Sequence, residues 1–361
     1  MTVARLPARP AFRLIDILKV VAAQCIVLHH FSAYGPLSEA ASSAFPDTMA
    51  WLYDNARVAV QVFLVVAGYL AAKNFALIRR PAGALLVGLW QRYVRLAFPF
   101  IAALLLTVLC SAMARPFLAP EVVPAAPTIA QFLAHASLLH SVLDVESISA
   151  GVWYVAIDFQ LYAALALLIW VSRGKRWLSM GLVALLCIAS ITWFNTEASW
   201  DVWALYFFGA YGLGALAWWA GLRARHGLVA IMLYATALSA GLASLTVNFR
   251  ERMALAISVS AVLASFGNWQ LRLPRTLDYA VDLMSRTSYA LFLVHYSVLL
   301  LANAAWAQLD WEDGDAALFF MAGSWFVALG VSYLFHTQVE QRIAQWRSAA
   351  KPALPSPAAR P

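Results

Sequence analysis

Charged residues are scarce in this chain. Only 12% of its 361 residues are Asp, Glu, Lys or Arg, whereas 63% are apolar. A soluble domain has roughly one quarter charged residues and about half apolar residues, so the composition excludes an ordinary soluble enzyme. It also excludes intrinsic disorder, which requires low hydrophobicity and high net charge. The class that remains is a membrane protein that crosses the bilayer several times.

Cysteines and the usual motifs of soluble enzymes are also missing or few. Cys25, Cys110 and Cys187 each lie inside an apolar run, far apart and odd in number, so they predict neither a disulfide framework nor a metal site. We expect them to be small packing residues. The sequence has no phosphate-binding loop, no dinucleotide-binding glycine motif and no Cys/His zinc pattern. We therefore expect no metal cofactor.

The net charge of +7 does not indicate nucleic acid as a partner. The basic residues stand in short clusters between the apolar runs, which is typical of charge that flanks membrane helices. The apolar runs cover about 17–22 residues, whereas a barrel strand would need about ten alternating ones. The predicted fold class is therefore an all-α polytopic membrane protein with about ten transmembrane helices. The predicted spans are 12–33, 56–77, 93–113, 151–172, 177–194, 202–220, 227–247, 253–269, 288–308 and 316–337.

The distribution of basic residues predicts the orientation. If both termini are cytoplasmic, most basic residues fall in cytoplasmic loops or in the termini. The basic residues left in outer loops are Arg57, Arg115, Arg250 and Arg252. Asp16 and Lys19 interrupt the first apolar run, so we interpret it as a retained span rather than a cleaved signal. The expected location is the inner (cytoplasmic) membrane of a bacterial-type cell.

Two segments fall outside this pattern of spans. The stretch 128–143 is apolar but too short to span, so we predict one short extra interfacial helix. On such a helix His135 and His140 would diverge by about 140° and make a poor metal pair. We predict a single transmembrane domain over 1–347 and a disordered Pro/Ala-rich tail over 348–361.

Three of the ionisable residues in the first span stand out, since such residues are costly inside a membrane: Asp16, Lys19 and His30. Lys19 and His30 are eleven residues apart, which places them on nearly the same helix face and roughly 16 Å apart along the axis. Asp16 lies one turn from Lys19 and could pair with it. In the alternative interpretation, the Lys19 side chain extends to the cytoplasmic lipid headgroups, and His30 caps the outer end of the helix without a chemical role.

The fourth span carries a carboxylate. Tyr154, Asp158 and Tyr162 recur every four residues and share one face. Asp158 would lie about 10 Å below the outer end of the helix, a depth at which it could meet His30 and orient its ring. The alternative is a structural hydrogen bond between Asp158 and a tyrosine of another helix.

Three further candidates lie toward the cytoplasmic side. Arg92 and Arg95 stand one turn apart just before the third span, where they could bind an anionic ligand that carries phosphate. The alternative interpretation is ordinary positive charge that flanks a membrane span on the cytoplasmic side. His295 lies about seven residues into the ninth span, at an estimated depth similar to that of Lys19. It is either part of the site or a buried structural histidine.

Several segments resemble motifs of one family, in order along nearly the whole chain. Lys19 and His30 fit an opening motif of a basic residue, ten residues and a histidine. QVFLVVAGYL, QRYVRLAFP, GVWYVAIDFQLY and SYALFLVHYSVL resemble the four later motifs. On this basis the chain resembles the membrane-bound acyltransferase-3 family, whose members O-acylate exported carbohydrates and related envelope molecules. Three positions depart from the family pattern: Lys19 replaces an arginine, Ala67 a serine and Asp158 a glutamate.

The resemblance implies an acyl-CoA donor, expected to be acetyl-CoA, and an exported carbohydrate or glycolipid acceptor. His30 would act as the general base or carry the acyl group itself, Asp158 would orient it, and Tyr154 or Tyr162 would stabilise the oxyanion. Donor binding would fall to Lys19, Asp16, Arg92, Arg95 and His295. A proton-coupled transporter that uses the same residues as a relay is the main alternative. A non-catalytic envelope scaffold is the second.

Overall fold

The computed structural model describes residues 13–76, 84–222, 227–309, 311 and 313–349, and these residues form helices and no strands. The helices are α1 (Arg13–Ala33), α2 (Pro36–Ala44), α3 (Pro46–Asn55), α4 (Val60–Ala76), α5 (Ala84–Ala114), α6 (Ile129–Ala136), α7 (Trp153–Val171), α8 (Arg176–Thr192), α9 (Ala204–Ala220), α10 (Gly227–Val247), α11 (Glu251–Phe266), α12 (Arg275–Leu309), α13 (Gly314–Phe335) and α14 (Gln341–Ala349). A 3₁₀ turn joins α3 to α4, and a π-helical turn joins α13 to α14.

The helices confirm the predicted all-α membrane fold. Among the described residues, eight helical stretches are long and apolar enough to cross a membrane. The shorter helices α9 and α11 occupy two further predicted spans. How many of these ten cross the bilayer stays a prediction.

Three boundaries differ from the prediction in ways that matter for the site. Helix α5 begins at Ala84 rather than near residue 93, and α12 begins at Arg275 rather than near residue 288. The residues added to α12 are polar or mixed in sequence, so hydropathy alone missed them. Those added to α5 are apolar up to Trp90, but Gln91 and Arg92 separate them from the predicted span. Helix α14 continues through Ala349, and the rest of the predicted tail, 350–361, lies outside the described residues.

Helix α9 is the centre of the largest apolar cluster, and almost all of its residues are buried. It packs very closely on α4 because glycines lie at the crossing. A Cβ atom on Gly68 would stand 1.9 Å from the Tyr211 carbonyl oxygen, and one on Gly214 would stand 2.0 Å from the Val65 carbonyl oxygen. Small residues of this kind allow helix backbones to approach closely in membrane proteins.

Helix α12 organises the other half of the molecule. At 35 residues it is about 52 Å long, well beyond the roughly 30 Å of a bilayer core. It packs along α1, α5 and α13 and shares an apolar cluster with α1 and α2. Near its end, the Asn303 side chain accepts a hydrogen bond from the Leu37 amide and donates one to the Tyr34 carbonyl. Helix α12 is therefore tied to the turn that follows α1.

The short segment between α5 and α7 folds differently from the prediction. Helix α6 ends at Ala136, and Leu138 adopts a φ of 61°, so the chain reverses direction there. His140 is thereby folded back onto His135, and their rings stack with centroids 4.2 Å apart. The predicted divergence of the two histidines is wrong because it assumed one continuous helix.

Candidate active site

Two histidines from opposite ends of the sequence meet inside the protein. His30 of α1 and His295 of α12 stack with their ring planes 5° apart, and Nδ1 of His30 lies 2.6 Å from Nε2 of His295. Both side chains are buried, with His30 7% and His295 0% exposed. The prediction that His295 lies at the depth of Lys19 is therefore wrong: it lies at the depth of His30.

The hydrogen bonds define which nitrogen of His30 can react. Nδ1 of His295 lies 3.0 Å from the Leu291 carbonyl oxygen, which can only accept, so His295 donates there. In the neutral dyad Nε2 of His295 is then an acceptor, and Nδ1 of His30 must be the donor to it. This leaves the lone pair of His30 on Nε2, which makes no hydrogen bond to any residue that the structure describes.

A glycine and an aromatic ring close in on the His30 ring. Gly151, in the turn before α7, has a φ of 73°. A Cβ atom there would stand 3.3 Å from Cε1 of His30 and 3.3 Å from the Phe292 ring. The ring centroid of Tyr34 also lies 5.8 Å from that of His30. The reactive edge of His30 therefore lies between α1, α12 and the start of α7.

A second polar cluster lies near the N-terminal ends of α1 and α12. Lys19 donates to the carbonyl oxygen of Ser285 at 2.8 Å and to its hydroxyl at 3.0 Å. The Ser285 hydroxyl in turn donates to Asp16 at 2.6 Å. The predicted association of Asp16 with Lys19 is thus made through Ser285. Arg13 also links α1 to α12, because its guanidinium donates a hydrogen bond to the Asp278 carboxylate at 2.6 Å.

The two clusters show that α1 and α12 run parallel to each other. Lys19 faces Ser285 and His30 faces His295, in the same order along both helices. Eleven residues separate the pair on α1 and ten separate the pair on α12, which corresponds to about 15–16 Å. One long seam between two helices therefore carries a lysine at one end and the histidine dyad at the other.

Asp158 does not orient His30. It is buried and accepts a hydrogen bond from Arg92 at 2.5 Å. The ring of Tyr162 lies under the same guanidinium, 5.1 Å from centroid to Cζ. Because α5 begins early, Arg92 lies within a helix rather than in a flanking loop, and its half-buried guanidinium supplies the partner that the buried Asp158 carboxylate requires. The position that we predicted for Asp158 beside His30 is occupied by His295.

The other predicted residues lie between the two clusters or beside them. Tyr154 packs edge-on against Phe292, with centroids 5.4 Å apart, and so reaches the surroundings of the dyad. Arg95 is exposed and lies within electrostatic range of Arg92, Asp158 and Glu340. Glu340 and Arg95 also lie within range of Lys19. Lys19, Arg92 and Arg95 thus lie in one region of mixed charge, together with the carboxylates of Asp16, Asp158 and Glu340.

Sequence reasoning missed Ser285, Gly151 and Phe292 as parts of the site. Ser285, Phe292 and His295 recur at intervals of seven and three residues, which is the spacing of one helix face. That spacing was the available signal, but it required α12 to begin before residue 288. Among the described residues, no group of three or more His, Cys, Asp or Glu could hold a metal ion.

Comparison with known proteins identifies the class. A family model described as an acyltransferase domain matches residues 12–337, nearly the whole chain. The chain therefore belongs to the acyltransferase-3 family, and the protein is a multi-pass membrane acyltransferase that transfers groups other than amino-acyl groups. This finding supports the predicted acyltransferase over the alternative of a proton-coupled transporter. Neither the curated proteins nor the solved structures gave a match.

Proposed function

We propose that the protein transfers an acyl group, expected to be acetyl, from cytoplasmic acyl-CoA to a hydroxyl of an exported carbohydrate or glycolipid. The observation that carries this proposal is the seam between α1 and α12, with Lys19 at one end and the His30–His295 dyad at the other. A donor that enters from the cytoplasm meets cations first and a base about 16 Å further on. An extended pantetheine arm can span that separation.

The donor phosphates would bind the region formed by Lys19, Arg92 and Arg95. Lys19 uses its bonds to Ser285 to hold a fixed position, and its ammonium group has a third proton to donate. Arg95 is exposed and can reach a phosphate, while the charge of Arg92 is balanced by Asp158, so Arg92 contributes by hydrogen bonding only. Asp16 keeps Ser285 in place, so its contribution to donor binding is indirect.

The chemical step would occur at Nε2 of His30. The acceptor hydroxyl oxygen forms a bond to the thioester carbonyl carbon as the carbon–sulfur bond breaks. Nε2 takes the hydroxyl proton and returns it to the departing thiolate, so the products are an ester and free CoA thiol. If the acyl group passes through an acyl-histidine, the same nitrogen would carry it. His295 is the positioning residue, because it fixes the tautomer and the ring plane of His30.

The expected location of the protein is the inner membrane of a bacterial-type cell, with both termini cytoplasmic. The expected partners are acyl-CoA, the envelope acceptor and the lipid bilayer. The positive-inside pattern supports this orientation, because it places the Lys19 end of the seam on the cytoplasmic side.

Membrane vesicles test the proposal. Inverted and right-side-out vesicles would receive acetyl-CoA labelled on the acetyl group, with wild type, His30→Ala and His140→Phe as a matched histidine control. We expect label in envelope material with wild type and the control, and only a small residual fraction of it with His30→Ala inserted at normal levels. Equal label in all three and in vesicles without the protein would overturn the proposal.

A further inference from the structure

Tyr34 directly follows α1, and its ring lies against that of His30. The two residues are four apart in sequence, a spacing that places side chains on one face of a helix, and their ring centroids are 5.8 Å apart. Lys19 lies eleven residues back along α1, on the other side of His30. Along the helix axis His30 therefore stands between Lys19, about 16 Å away, and Tyr34, about 6 Å away.

The backbone and the ring of Tyr34 are both held by α12. The Asn303 side chain donates a hydrogen bond to the Tyr34 carbonyl oxygen at 3.2 Å and accepts one from the Leu37 amide at 3.0 Å. The Tyr34 ring meets the buried ring of Tyr296 edge-on, with centroids 5.7 Å apart. Because α12 also supplies His295, the helices that form the dyad also fix the position of Tyr34 beside it.

The hydroxyl of Tyr34 has no structural role in the described part of the chain. Tyr34 is 38% exposed, and its hydroxyl makes no hydrogen bond to any described residue. Its contacts with His30 and Tyr296 are contacts between rings. A tyrosine offers an apolar ring face together with a hydroxyl that can donate or accept. A sugar ring presents the matching combination of C–H groups and hydroxyls.

The position of Tyr34 suits the acceptor rather than the donor. The acceptor must bring one hydroxyl to Nε2 of His30, because Nδ1 of that ring is occupied by His295. A donor that extends from Lys19 to His30 fills the seam on one side, so the body of the acceptor lies beside His30 on the side of Tyr34. With the Lys19 end cytoplasmic, this is the outer side, from which an exported acceptor arrives.

We propose that Tyr34 is an acceptor-binding residue, whose ring packs on a sugar ring of the acceptor and whose hydroxyl hydrogen-bonds to that sugar beside His30. The proposal rests on the acyl transfer proposed above and assigns a residue that binds its second substrate. Tyrosines also occur in the aromatic belt at a membrane surface. A belt residue would leave the affinity for the acceptor unchanged, so kinetics separate the two roles.

The experiment uses the full-length protein in detergent, with labelled acetyl-CoA as donor and a carbohydrate-containing envelope extract of the producing cells as acceptor. Each is titrated at a saturating level of the other. Tyr34→Phe removes only the hydroxyl, and one neutral hydrogen bond corresponds to about a 2–10-fold change in affinity. We expect the half-saturating amount of extract to rise by that factor, with the maximal rate and KM for acetyl-CoA changed less than about twofold. Tyr34→Ala also removes the ring and should raise it further.

Tyr279→Phe is the matched control, because Tyr279 is 71% exposed near the start of α12, at the opposite end from Tyr34. Its curves should equal those of wild type. Wild-type saturation by the extract in both Tyr34 variants would overturn the role of Tyr34 while acyl transfer itself stands. A raised KM for acetyl-CoA with unchanged saturation by the extract would overturn it as well. A wild-type protein that acetylates nothing in the extract would instead overturn the proposed function, and this proposal with it.

Discussion

Nδ1 of His30 lies 2.6 Å from Nε2 of His295, although 265 residues separate the two histidines in sequence. The bond from His295 to the Leu291 carbonyl fixes the direction of this contact, because a carbonyl can only accept. In a catalytic triad a carboxylate accepts a hydrogen bond from Nδ1 of the reacting histidine and so orients its ring. Here the neutral imidazole of His295 takes the place of that carboxylate. A neutral partner avoids the cost of placing another charge in a buried site.

Replacement of Lys19 by alanine should weaken donor binding. A hydrogen bond to a charged group contributes about 1.5–3 kcal/mol, so KM for acyl-CoA should rise about tenfold or more while kcat changes little. Lys19→Arg keeps the charge and should retain most of the affinity. Steady-state kinetics over a range of acyl-CoA concentrations measure this. Lys175→Ala, at an exposed position, is the control, and an unchanged KM in Lys19→Ala would remove Lys19 from the donor site.

A methyl group on Gly151 should impair catalysis more than folding. Its φ of 73° is unfavourable for alanine, and the added Cβ would press on Cε1 of His30 and on Phe292. We expect Gly151→Ala to lower kcat/KM by about 10–100-fold, because small misplacements of a reacting group are costly.

Gly174→Ala separates backbone strain from contact with the site. Gly174 has a φ of 77°, and nothing lies within 4 Å of the place where its Cβ would stand. It should cost about 1 kcal/mol in stability and leave activity unchanged. Equal activity losses in the two variants would show that contact with His30 is irrelevant.

The crossing of α4 and α9 should not tolerate any side chain. Gly68→Ala would place Cβ 1.9 Å from the Tyr211 carbonyl, so the two helices must separate. We expect a loss of several kcal/mol in stability, seen as a lower unfolding midpoint in detergent and reduced insertion. Gly323→Ala, whose Cβ would meet nothing within 4 Å, should be neutral or stabilising by up to about 1 kcal/mol. A normal midpoint for Gly68→Ala would contradict the close packing.

The stacked pair His135 and His140, in the segment between α5 and α7, should make stability depend on pH. Burial, with a smaller contribution from His135, lowers the pKa of His140 to about 4. Both ring nitrogens of His140 are buried and have no hydrogen-bond partner among the described residues. The unfolded chain takes up the proton near pH 6.5, so stability is full above that value and falls as the pH drops toward 4.

Unfolding midpoints at pH 7.5, 6 and 5 measure this dependence. His140→Phe keeps the stacked ring and removes the titrating group, so its midpoint should change less over this range. An identical pH dependence in wild type and His140→Phe would contradict the assignment of the effect to His140.

Much of the fold was predictable from the sequence, because long apolar runs must form helices in a bilayer. The early start of α12 was not, since its first turns are polar or mixed and packing rather than hydropathy keeps them helical. The early start of α5 was missed although its first residues are apolar, because Gln91 and Arg92 interrupt the apolar run. The Lys19–His30 face followed from helix periodicity alone. The partner of each side chain on a neighbouring helix did not follow from periodicity. Asp158 pairs with Arg92 and not with His30, because contacts between helices depend on how the helices pack. Periodicity within one helix carries no information about that packing.

The most direct test of the account is the kinetic role of His295. We predict that His295→Ala lowers kcat about 100-fold or more with KM for acyl-CoA changed less than about twofold, because positioning and not binding is lost. His295→Gln, whose amide oxygen can accept from Nδ1 of His30, should recover part of kcat. In the His30→Ala background, His295→Ala should cause no further loss. A His295→Ala enzyme with wild-type kcat would contradict the dyad. So would a His30→Ala/His295→Ala double variant whose rate falls below that of His30→Ala by the factor that His295→Ala causes in wild type.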